Sequence, residues 1–594
     1  MASTISILSF FAINALTFLS ARAAAPTFNC QPNQSCWPTT ADWNAFNKTV
    51  SGQLKATVML ASPCYPSSPN FNEAECATVE ANYFDPTFRQ TVYGSMEHFN
   101  WEACGSANCA PNLTVTTQSK DAVCSLGTLS AFHVDASTAA DITATLAFVR
   151  KHNIRLSIRN TGHDYLGRSA IPNSLALEMS NFQTMEFHPT FQLNNCKSTS
   201  AITNVGIMGA GVIGDEALPF FSAKGMQPVV GACPTVGPAG GFSMGGGHGP
   251  LSPTNGLLAD NAVEFDIVTA DGKFRTVNQC NDPDLFWALR GGGAGTYAIM
   301  VNYKTLVYPK TTFATWHFRA NISSNAITPN TTMSTVLRDV ITAVSTNQTT
   351  WTKNNMTGFD VFTPTTVELM EMLPSNDNAL AQLKSLTSSV HQLVTTHPDL
   401  AIVNDDFILY DDQDAWETGQ AEFITRTSGD GIGIITPSRL IPRDILASTE
   451  SINTFTAGFD AAAALSELAF FKTAPPSSKN TGDTSVNPAW YSTAMHFIAG
   501  PGWPPGTPQA LTDALQEGAR NGLAKVANVL DVQAAYTNEA DWAEPNWQSV
   551  FYGSNYNKLL QIKQKYDPDN LFTCWKCVGS DVNAPQFSCY AETQ

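Results

Sequence analysis

The sequence predicts an α+β protein of two domains. The first reason is length, because 594 residues exceed what one hydrophobic core usually fills. The second is that helix and strand patterns are mixed between Ala136 and Tyr303, as in α+β units. The third is a change of pattern beyond Pro309, where a long helical face indicates that a second domain begins.

The N-terminus predicts a secreted chain. Residues 1–24 are interpreted as a signal peptide, because the apolar run from Ile5 to Leu19 is too short to span a bilayer and precedes small residues suited to cleavage. Since no Lys or Arg precedes the run, a buried N-terminal helix is the alternative. Residues 25–120 are rich in Cys, Pro and Asn without long periodicity, so they are predicted to be a cysteine-rich extension of the domain that follows.

Residues 121–309 form the first predicted domain. Apolar residues spaced by three and four positions indicate its helices, alternation indicates its strands, and Asp-Gly between two alternating runs indicates a hairpin. The elements are a helix from Ala136 to His152 capped by Ser137 or Thr138, a strand from Ile154 to Ile158, a helix from Asp215 to Ala223, a hairpin at Asp271-Gly272, a short helix after Asp282 and a strand from Tyr297 to Tyr303.

Residues 310–530 are predicted to be the second domain, and 531–594 a C-terminal segment. The second domain opens with a helical face formed by Met333, Val336, Leu337, Val340, Ile341 and Val344. In the last segment, a helix from Tyr556 to Lys565 is stopped by Asp567-Pro568. The spacing of Cys574 and Cys577 is thioredoxin-like, but a structural disulfide is the favoured interpretation.

Charge and composition exclude several function classes. With 32 basic and 50 acidic residues the net charge is -18, and no polybasic run occurs, so neither nucleic acid nor an acidic membrane is an expected partner. Charged residues make up only 14% of the chain against roughly 25% in average proteins. Glycans would supply the missing solvation, and thirteen cysteines indicate disulfides in an oxidising compartment, with one cysteine left over. Acceptor triplets begin at Asn33, Asn47, Asn112, Asn321, Asn330, Asn347 and Asn355.

Two glycine-dense loops predict a dinucleotide site. They span residues 159–164 and 231–249, and a third glycine cluster covers 291–295. Residues without a β-carbon let the backbone approach a ligand and direct several N–H groups at a pyrophosphate. Simple turns are the alternative for each loop. No Gly-x-Gly-x-x-Gly follows a first strand, so a Rossmann site is not predicted.

His163 lies in the first loop and Cys233 in the second. The residues alone leave four interpretations open. These are a metal site, for which only His248 is a further ligand nearby in sequence, a nucleophilic Cys/His pair, a disulfide for Cys233, and a structural core histidine for His163.

Five strings of residues resemble the berberine bridge enzyme-like branch of the vanillyl-alcohol oxidase (p-cresol methylhydroxylase-type) flavoproteins. They are RNTGHDYLGRS at 159–169, GACPTVGPAGGFSMGGGHG at 231–249, VTADG at 268–272, DPDLFWALRGGGAGTYAI at 282–299 and NWQSVFYGSNYNKLLQIKQKYDPDNLF at 546–572. The resemblance covers most of the chain. It implies a flavin domain formed by the N- and C-terminal parts, with an inserted substrate domain of an antiparallel sheet and helices.

The resemblance also implies an FAD cofactor that is attached twice, to His163 through the 8α carbon and to Cys233 through C6. Twelve cysteines then remain, enough for six disulfides. A small residue at Val236 is associated in the family with O2 as electron acceptor, and Asn555 resembles an asparagine that contacts the flavin. The other expected FAD-binding residues are Arg159, Asn160, Thr161, Gly162, Asp164, Thr235, Gly237, Gly240, Gly241, Gly246 and Gly247.

The implied function is that of a secreted FAD-dependent oxidase. It would transfer a hydride from an alcohol, sugar or secondary metabolite to FAD and then to O2, forming H2O2, as a monomer without a metal. Relatives place a general base near a Y-x-N segment, which here predicts Tyr536 first and Glu539 second; a core strand tyrosine is the alternative for Tyr536. Two other functions stay open: a tailoring enzyme that catalyses oxidative cyclisation, and a catalytically silent secreted glycoprotein.

Overall fold

The structure is a computed structural model that describes residues 28–113, 118–197, 200–327, 333–459 and 467–591. The predicted signal peptide and the acceptor triplet at Asn330 lie outside these residues. Within the described ranges, no helix combines the length and hydropathy that a bilayer-spanning segment needs.

Strands β1 to β10 build two sheets in the first half of the chain. They lie at Leu54–Ala56 (β1), Phe132–Asp135 (β2), Arg155–Arg159 (β3), Ser174–Glu178 (β4), Met185–Phe191 (β5), Ile202–Gly209 (β6), Met226–Pro228 (β7), Ala262–Thr269 (β8), Phe274–Val277 (β9) and Ala298–Pro309 (β10). One sheet has the order β1-β2-β4-β3, in which β2, β4 and β3 run parallel. The other has the antiparallel order β5-β6-β10-β8-β9, and β7 also pairs with β10. The predicted hairpin is the β8–β9 connection.

Three helices of this half were predicted, those that begin at Ala139, Gly214 and Pro283, whereas the helices within residues 25–120 were not. They lie at Thr40–Thr49 (α1), Glu73–Asn82 (α2), Pro86–Gln90 (α3), Ala139–His152 (α4), Gly214–Ser222 (α5), Ser243–Gly245 (α6), Ser252–Asn255 (α7), Leu258–Asn261 (α8) and Pro283–Leu289 (α9). Of the two predicted caps for α4, Thr138 is the N-cap, because its side chain and that of Asp141 satisfy each other's backbone N–H groups. Helix α4 ends at Asn153, whose left-handed conformation closes it.

The second half contains one large antiparallel sheet. Its strands lie at Phe313–Ile322 (β11), Thr357–Thr363 (β12), Thr366–Pro374 (β13), Leu400–Tyr410 (β14), Ser438–Pro442 (β16), Leu468–Phe471 (β17) and Thr493–Ala499 (β18), in the order β14-β11-β13-β12-β17-β18-β16. Gly433–Ile434 (β15) and Gly502–Trp503 (β19) form a separate pair. The helices are Thr335–Lys353 (α10), Ala379–Thr396 (α11), Gln413–Gly419 (α12), Ala421–Ser428 (α13), Thr449–Gly458 (α14) and Gln509–Leu530 (α15).

The two faces of this sheet belong to different cores because side chains alternate along a strand. On β12, Phe362 packs with the predicted apolar face of α10. Its neighbours Phe359 and Val361 instead join the core of the first half. The sheet therefore separates its own helices from the first half of the chain.

The C-terminal segment returns to the first half, as predicted. It contains Trp547–Tyr552 (α16), Tyr556–Tyr566 (α17) and Ser588–Ala591 (α18). Leu559 and Ile562 of α17 share a core with Leu285 of α9, and the buried Lys563 ammonium donates to the Thr296 carbonyl at 2.8 Å. The predicted α+β class with an inserted antiparallel domain is thus confirmed.

Six disulfides use every cysteine except Cys233, which is free. One of them joins Cys104 in the N-terminal extension to Cys589 near the C-terminus. The others are Cys30–Cys36, Cys64–Cys76, Cys109–Cys124, Cys196–Cys280 and Cys574–Cys577. This number of bridges fits a protein of an oxidising compartment.

Candidate active site

The first glycine loop follows β3 and presents His163. Arg159, at the end of β3, is buried and donates to the Val92 carbonyl at 2.9 Å, so it supports the base of the loop. Gly162 has a φ of +92°, which an L side chain rarely adopts. This conformation turns the next residue, His163, into a cavity between the two glycine loops.

The His163 imidazole has a hydroxyl on one side and a carboxyl on the other. Its Nε2 lies 2.7 Å from Thr235 Oγ1, and its Nδ1 lies 4.0 Å from Asp430 Oδ1. Burial and the neighbouring His98 and Arg159 hold the pKa of His163 well below its usual value. The imidazole is therefore neutral at physiological pH.

The second glycine loop presents Cys233. Its Sγ lies 3.6 Å from the same Thr235 hydroxyl, and burial raises the pKa of the Cys233 thiol. His163 and Cys233 thus approach each other across one side chain, that of Thr235. Both line the same cavity.

The two loops interlock at Gly240. The Asn160 amide donates to the carbonyls of Ala210 and Ala239 at 2.9 and 3.2 Å. A β-carbon on Gly240 would lie 2.3 Å from Asn160 Nδ2, and the φ of Gly240 is +83°. Glycine at this position lets exposed backbone line the cavity, which fits a cofactor with a pyrophosphate.

The predicted site residues divide into two sets. Those that line the cavity are Asn160, Thr161, Gly162, His163, Asp164, Cys233, Val236, Gly237, Gly240, Gly241 and Glu539. Those that support it without being among its lining residues are Arg159, Thr235, Gly246, Gly247, Tyr536 and Asn555. The supporting residues hold the backbone around the cavity in place, as Tyr536 does for Gly247 and Asn555 does for Val486.

Tyr536 and Asn555 act through backbone contacts. The buried Tyr536 hydroxyl accepts from the Gly247 N–H at 3.0 Å and from Asn538 Nδ2 at 2.8 Å. Burial and the nearby Glu539 raise the pKa of Tyr536 further above its usual value. The Asn555 amide donates to the carbonyls of Ser485 and Val486, so it fixes that segment.

Glu539 lies between two histidines. Its carboxylate is 3.1 Å from His248 Nε2 and 3.1 Å from His496 Nδ1, and His248 Nδ1 lies 2.8 Å from Thr473 Oγ1. Although burial favours the neutral acid, the two imidazoles hold the pKa of Glu539 well below its usual range. His496 was not predicted as a site residue, because a single histidine on a buried strand such as β18 belongs to no motif that would identify it.

The opposite wall of the cavity comes from the second half and is largely apolar. Phe359 and Val361 of β12 lie in register with Phe471 and Ala469 of β17, so all four side chains point to one face. Glu467, just before β17, is the acidic group of this wall. Phe423 and Ile424 of α13 complete the apolar surface.

The wall was not predicted, because strand pairing and not a motif brings it together. Tyr165, two residues after His163, also lines the cavity. It was not predicted as a site residue, although it belongs to the string RNTGHDYLGRS at 159–169. Its ring stacks on His98 with the centroids 4.4 Å apart.

Comparisons with known proteins cover most of the chain. The family model described as an FAD binding domain matches residues 131–278, and the one described as "Berberine and berberine like" matches residues 535–576. The chain is 32% identical over 575 residues to the FAD-linked oxidoreductase ZEB1 of Gibberella zeae, covering 95% of each chain.

Solved structures are similar over the whole fold. The VAO-type flavoprotein MtVAO615 from Myceliophthora thermophila C1 superposes with a TM-score of 0.82 at 26% identity, covering 94% of this chain and 99% of the other. Berberine bridge enzyme from Eschscholzia californica gives a TM-score of 0.61 at 15% identity, covering 86% and 100%. The latter likeness concerns the fold alone.

Proposed function

Because the chain belongs to the family of FAD-linked oxidoreductases related to berberine bridge enzyme, we propose that it is a secreted oxidase whose FAD is held by two covalent bonds. Family, fold class, FAD as cofactor and oxidoreductase activity follow from the comparisons. A catalytically silent glycoprotein is therefore not favoured. In this proposal residues 121–309 and 531–594 hold FAD, and residues 310–530 hold the substrate.

One observation carries the double attachment. His163 and Cys233 line the same cavity, and both contact the hydroxyl of Thr235. The 8α carbon is a methyl carbon attached to the same flavin ring that contains C6, so two attachment residues must lie close together. Cys233 is also the cysteine left over by the six disulfides. A free thiol and a neutral imidazole, side by side, are the groups that the two bonds require.

Bound FAD supplies a hydride acceptor, and the chain must then remove the hydroxyl or amine proton of the substrate. We assign this task to Glu539 and not to Tyr536. Glu539 lines the cavity as a carboxylate, whereas the Tyr536 hydroxyl fixes the Gly247 backbone. A proton taken up by Glu539 can be shared with His248 and His496, which face it at 3.1 Å.

The cavity walls favour a secondary metabolite over a sugar as substrate. The aromatic side chains Phe359, Phe423 and Phe471 cover the side opposite the glycine loops, and apolar surface binds apolar molecules best. Val236 lines the flavin side with a small side chain, which supports O2 as the electron acceptor. Secretion is supported by the disulfides and by the exposed acceptor residues Asn33, Asn321 and Asn355.

The attachment is tested with His163→Ala, Cys233→Ala and the double variant. After acid precipitation, the wild type and both single variants should keep yellow colour in the pellet, and the double variant should lose it. Each single variant should also have an altered absorption spectrum. Complete release of flavin from either single variant would contradict double attachment.

Oxidase activity is tested without knowing the substrate. Photoreduced protein mixed with aerated buffer should regain its oxidised spectrum quickly and form one H2O2 per flavin. Val236→Leu, which enlarges the side chain on the flavin side, should slow this step. Reoxidation that is slow in the wild type and unaffected by Val236→Leu would indicate a dehydrogenase.

A further inference from the structure

Two buried carboxyl groups lie next to His163 and have no role so far. Ligand atoms of Glu97, Asp430 and His163 all lie within 4.8 Å of one another. Glu97 is fully buried and Asp430 is nearly so. Neither carboxyl is among the residues that line the cavity, so His163 connects this acidic pair to the site.

Backbone pairing between distant segments builds the pair. The Gly431 N–H donates to the Glu97 carbonyl at 2.7 Å, and the Phe99 N–H donates to the Ile432 carbonyl at 2.9 Å. Gly431 has a φ of +73°, and a β-carbon there would lie 2.8 Å from the Tyr83 carbonyl. The arrangement thus needs glycine beside Asp430, and it joins the N-terminal extension to the second half of the chain.

The two carboxyls differ in protonation. Burial raises the pKa of Asp430 to about 6. Burial and the neighbouring Asp430 raise the pKa of Glu97 well above its usual value. Asp430 is therefore the carboxyl of the pair that ionises first as the pH rises, and it is a carboxylate at neutral pH.

The contacts of Asp430 leave one oxygen available. Its Oδ2 accepts from the Ser428 hydroxyl, and its Oδ1 has no hydrogen-bond partner among the described residues. That free oxygen is the one 4.0 Å from His163 Nδ1. A buried carboxylate without a partner is costly, which points to a partner that gains a proton or positive charge.

We propose that Asp430 accepts the proton that the His163 imidazole releases when it bonds to the flavin. The inference rests on the proposed attachment of FAD to His163. An imidazole nitrogen forms the new bond to the 8α carbon, and that carbon loses one proton, which the flavin ring takes up as it is reduced. The electron pair of the broken C–H bond reduces the flavin ring itself, and O2 later reoxidises it. The remaining imidazole N–H proton passes to Asp430, a positioning residue that acts through His163.

The matched pair Asp430→Asn and Glu97→Gln tests this assignment. Asp430→Asn removes the proton acceptor, whereas Glu97→Gln replaces the other carboxyl of the pair by an amide of the same shape and leaves Asp430 in place. In purified protein, peptide mass measurement gives the fraction of His163 that carries flavin. General-base effects are on the order of 10²-fold or more. Asp430→Asn should therefore leave most His163 without flavin after an expression time at which attachment in the wild type is complete. The flavin-bearing fraction of His163 in Glu97→Gln should stay within about twofold of the wild-type fraction.

Cys233 provides the internal control, because burial and the negative charge of Asp430 raise the pKa of its thiol, so removing that charge should not hinder attachment there. Flavin should remain on the Cys233 peptide in Asp430→Asn, which shows that the variant folds and binds FAD. Asp430→Glu keeps a carboxylate and should restore attachment at His163. Equal His163 attachment in Asp430→Asn and wild type would overturn the inference. No attachment at His163 in the wild type would instead overturn the proposed function.

A second variant keeps the test decisive if Asp430→Asn does not fold. Ser428→Ala removes the hydroxyl donor to Asp430 and makes its carboxylate more basic. The pH at which attachment to His163 is half as fast as its maximum should then rise. The variant leaves the other ionisable groups that act on Asp430 unchanged, so an unmoved pH profile contradicts the assignment. These groups are Arg89, Asp85, Glu97, His163, Cys233 and Tyr165.

Discussion

Each of the two glycine loops holds a buried histidine, but the surroundings of the two side chains differ. His248 uses both nitrogens, one toward Thr473 and the other toward Glu539. His163 has one hydroxyl neighbour, Thr235, and a carboxyl at 4.0 Å. The two histidines are of the same residue type and lie in similar loops, so their hydrogen-bonding and ionic partners make the difference. His248 orients a neighbour, whereas His163 is available for a covalent bond.

The largest expected effect concerns the carboxylate that His248 orients. Glu539→Gln should lower the rate of flavin reduction by substrate by about 10²- to 10⁴-fold, as loss of a general base does. Tyr536→Phe should change the rate by less than about tenfold, because its hydroxyl fixes the Gly247 backbone. Stopped-flow absorbance measures both rates, and the opposite order would return the role of base to Tyr536.

The next effect compares the two histidines directly. His248→Ala should lower the free energy of unfolding by about 3 kcal/mol, because it leaves a cavity and removes a donor from the half-buried Glu539. His163→Ala should cost less than half of that. Denaturant unfolding of the two variants measures the difference. A larger loss for His163→Ala would reverse the comparison.

Loop geometry gives a smaller effect with a matched control. Gly240→Ala should cost about 2 kcal/mol and lower the FAD content, because the new β-carbon meets Asn160 and the positive φ is strained. Gly225→Ala also has a positive φ, but nothing lies within 4 Å of its β-carbon, so it should cost about 1 kcal/mol. Equal free energies of unfolding and equal FAD contents for the two variants would show that the loops do not depend on the contact between Gly240 and Asn160.

The last expected effect, similar in size to that of Gly240→Ala, is a pH dependence of stability that arises from Asp430 beside His163. The pKa of Asp430 is raised to about 6 from 3.8, so the folded protein holds a proton that the unfolded chain has released between these values. Asp430 thus lowers the free energy of unfolding as pH rises from about 4 to about 6. Asp430→Asn should remove this loss. Its free energy of unfolding, relative to that of the wild type, should be higher at pH 7.5 than at pH 4 by on the order of 2 kcal/mol. Parallel stability curves for the two proteins would contradict this expectation.

Sequence reasoning succeeded where local chemistry decides the structure. The cap of α4 and the glycine loops around His163 and Cys233 are short-range features, and the sequence predicted each of them. The apolar wall was out of reach, because Phe359 and Phe471 meet through pairing of β12 with β17 across more than a hundred residues. The order of Tyr536 and Glu539 could not be decided either, since the segment around them is neither helix nor strand and no periodicity shows which side chain faces the cavity.

Asp430 shows the same limit in a different form. It lies in a loop of the second half, and only its pairing with the segment after Glu97 brings it next to His163. A single acidic residue in a glycine-flanked turn is ordinarily a turn residue. Its role becomes visible once the free oxygen and the nearby imidazole are seen together.

The most direct test of the account is to digest the denatured wild-type protein and search for one flavin that joins two peptides. Because the free thiol of Cys233 and the neutral imidazole of His163 share the Thr235 hydroxyl, we expect a single species whose mass is the sum of the His163 peptide, the Cys233 peptide and one FAD, less the hydrogens lost on forming two bonds. Flavin recovered on only one of these peptides, or free in the supernatant, would contradict the double attachment.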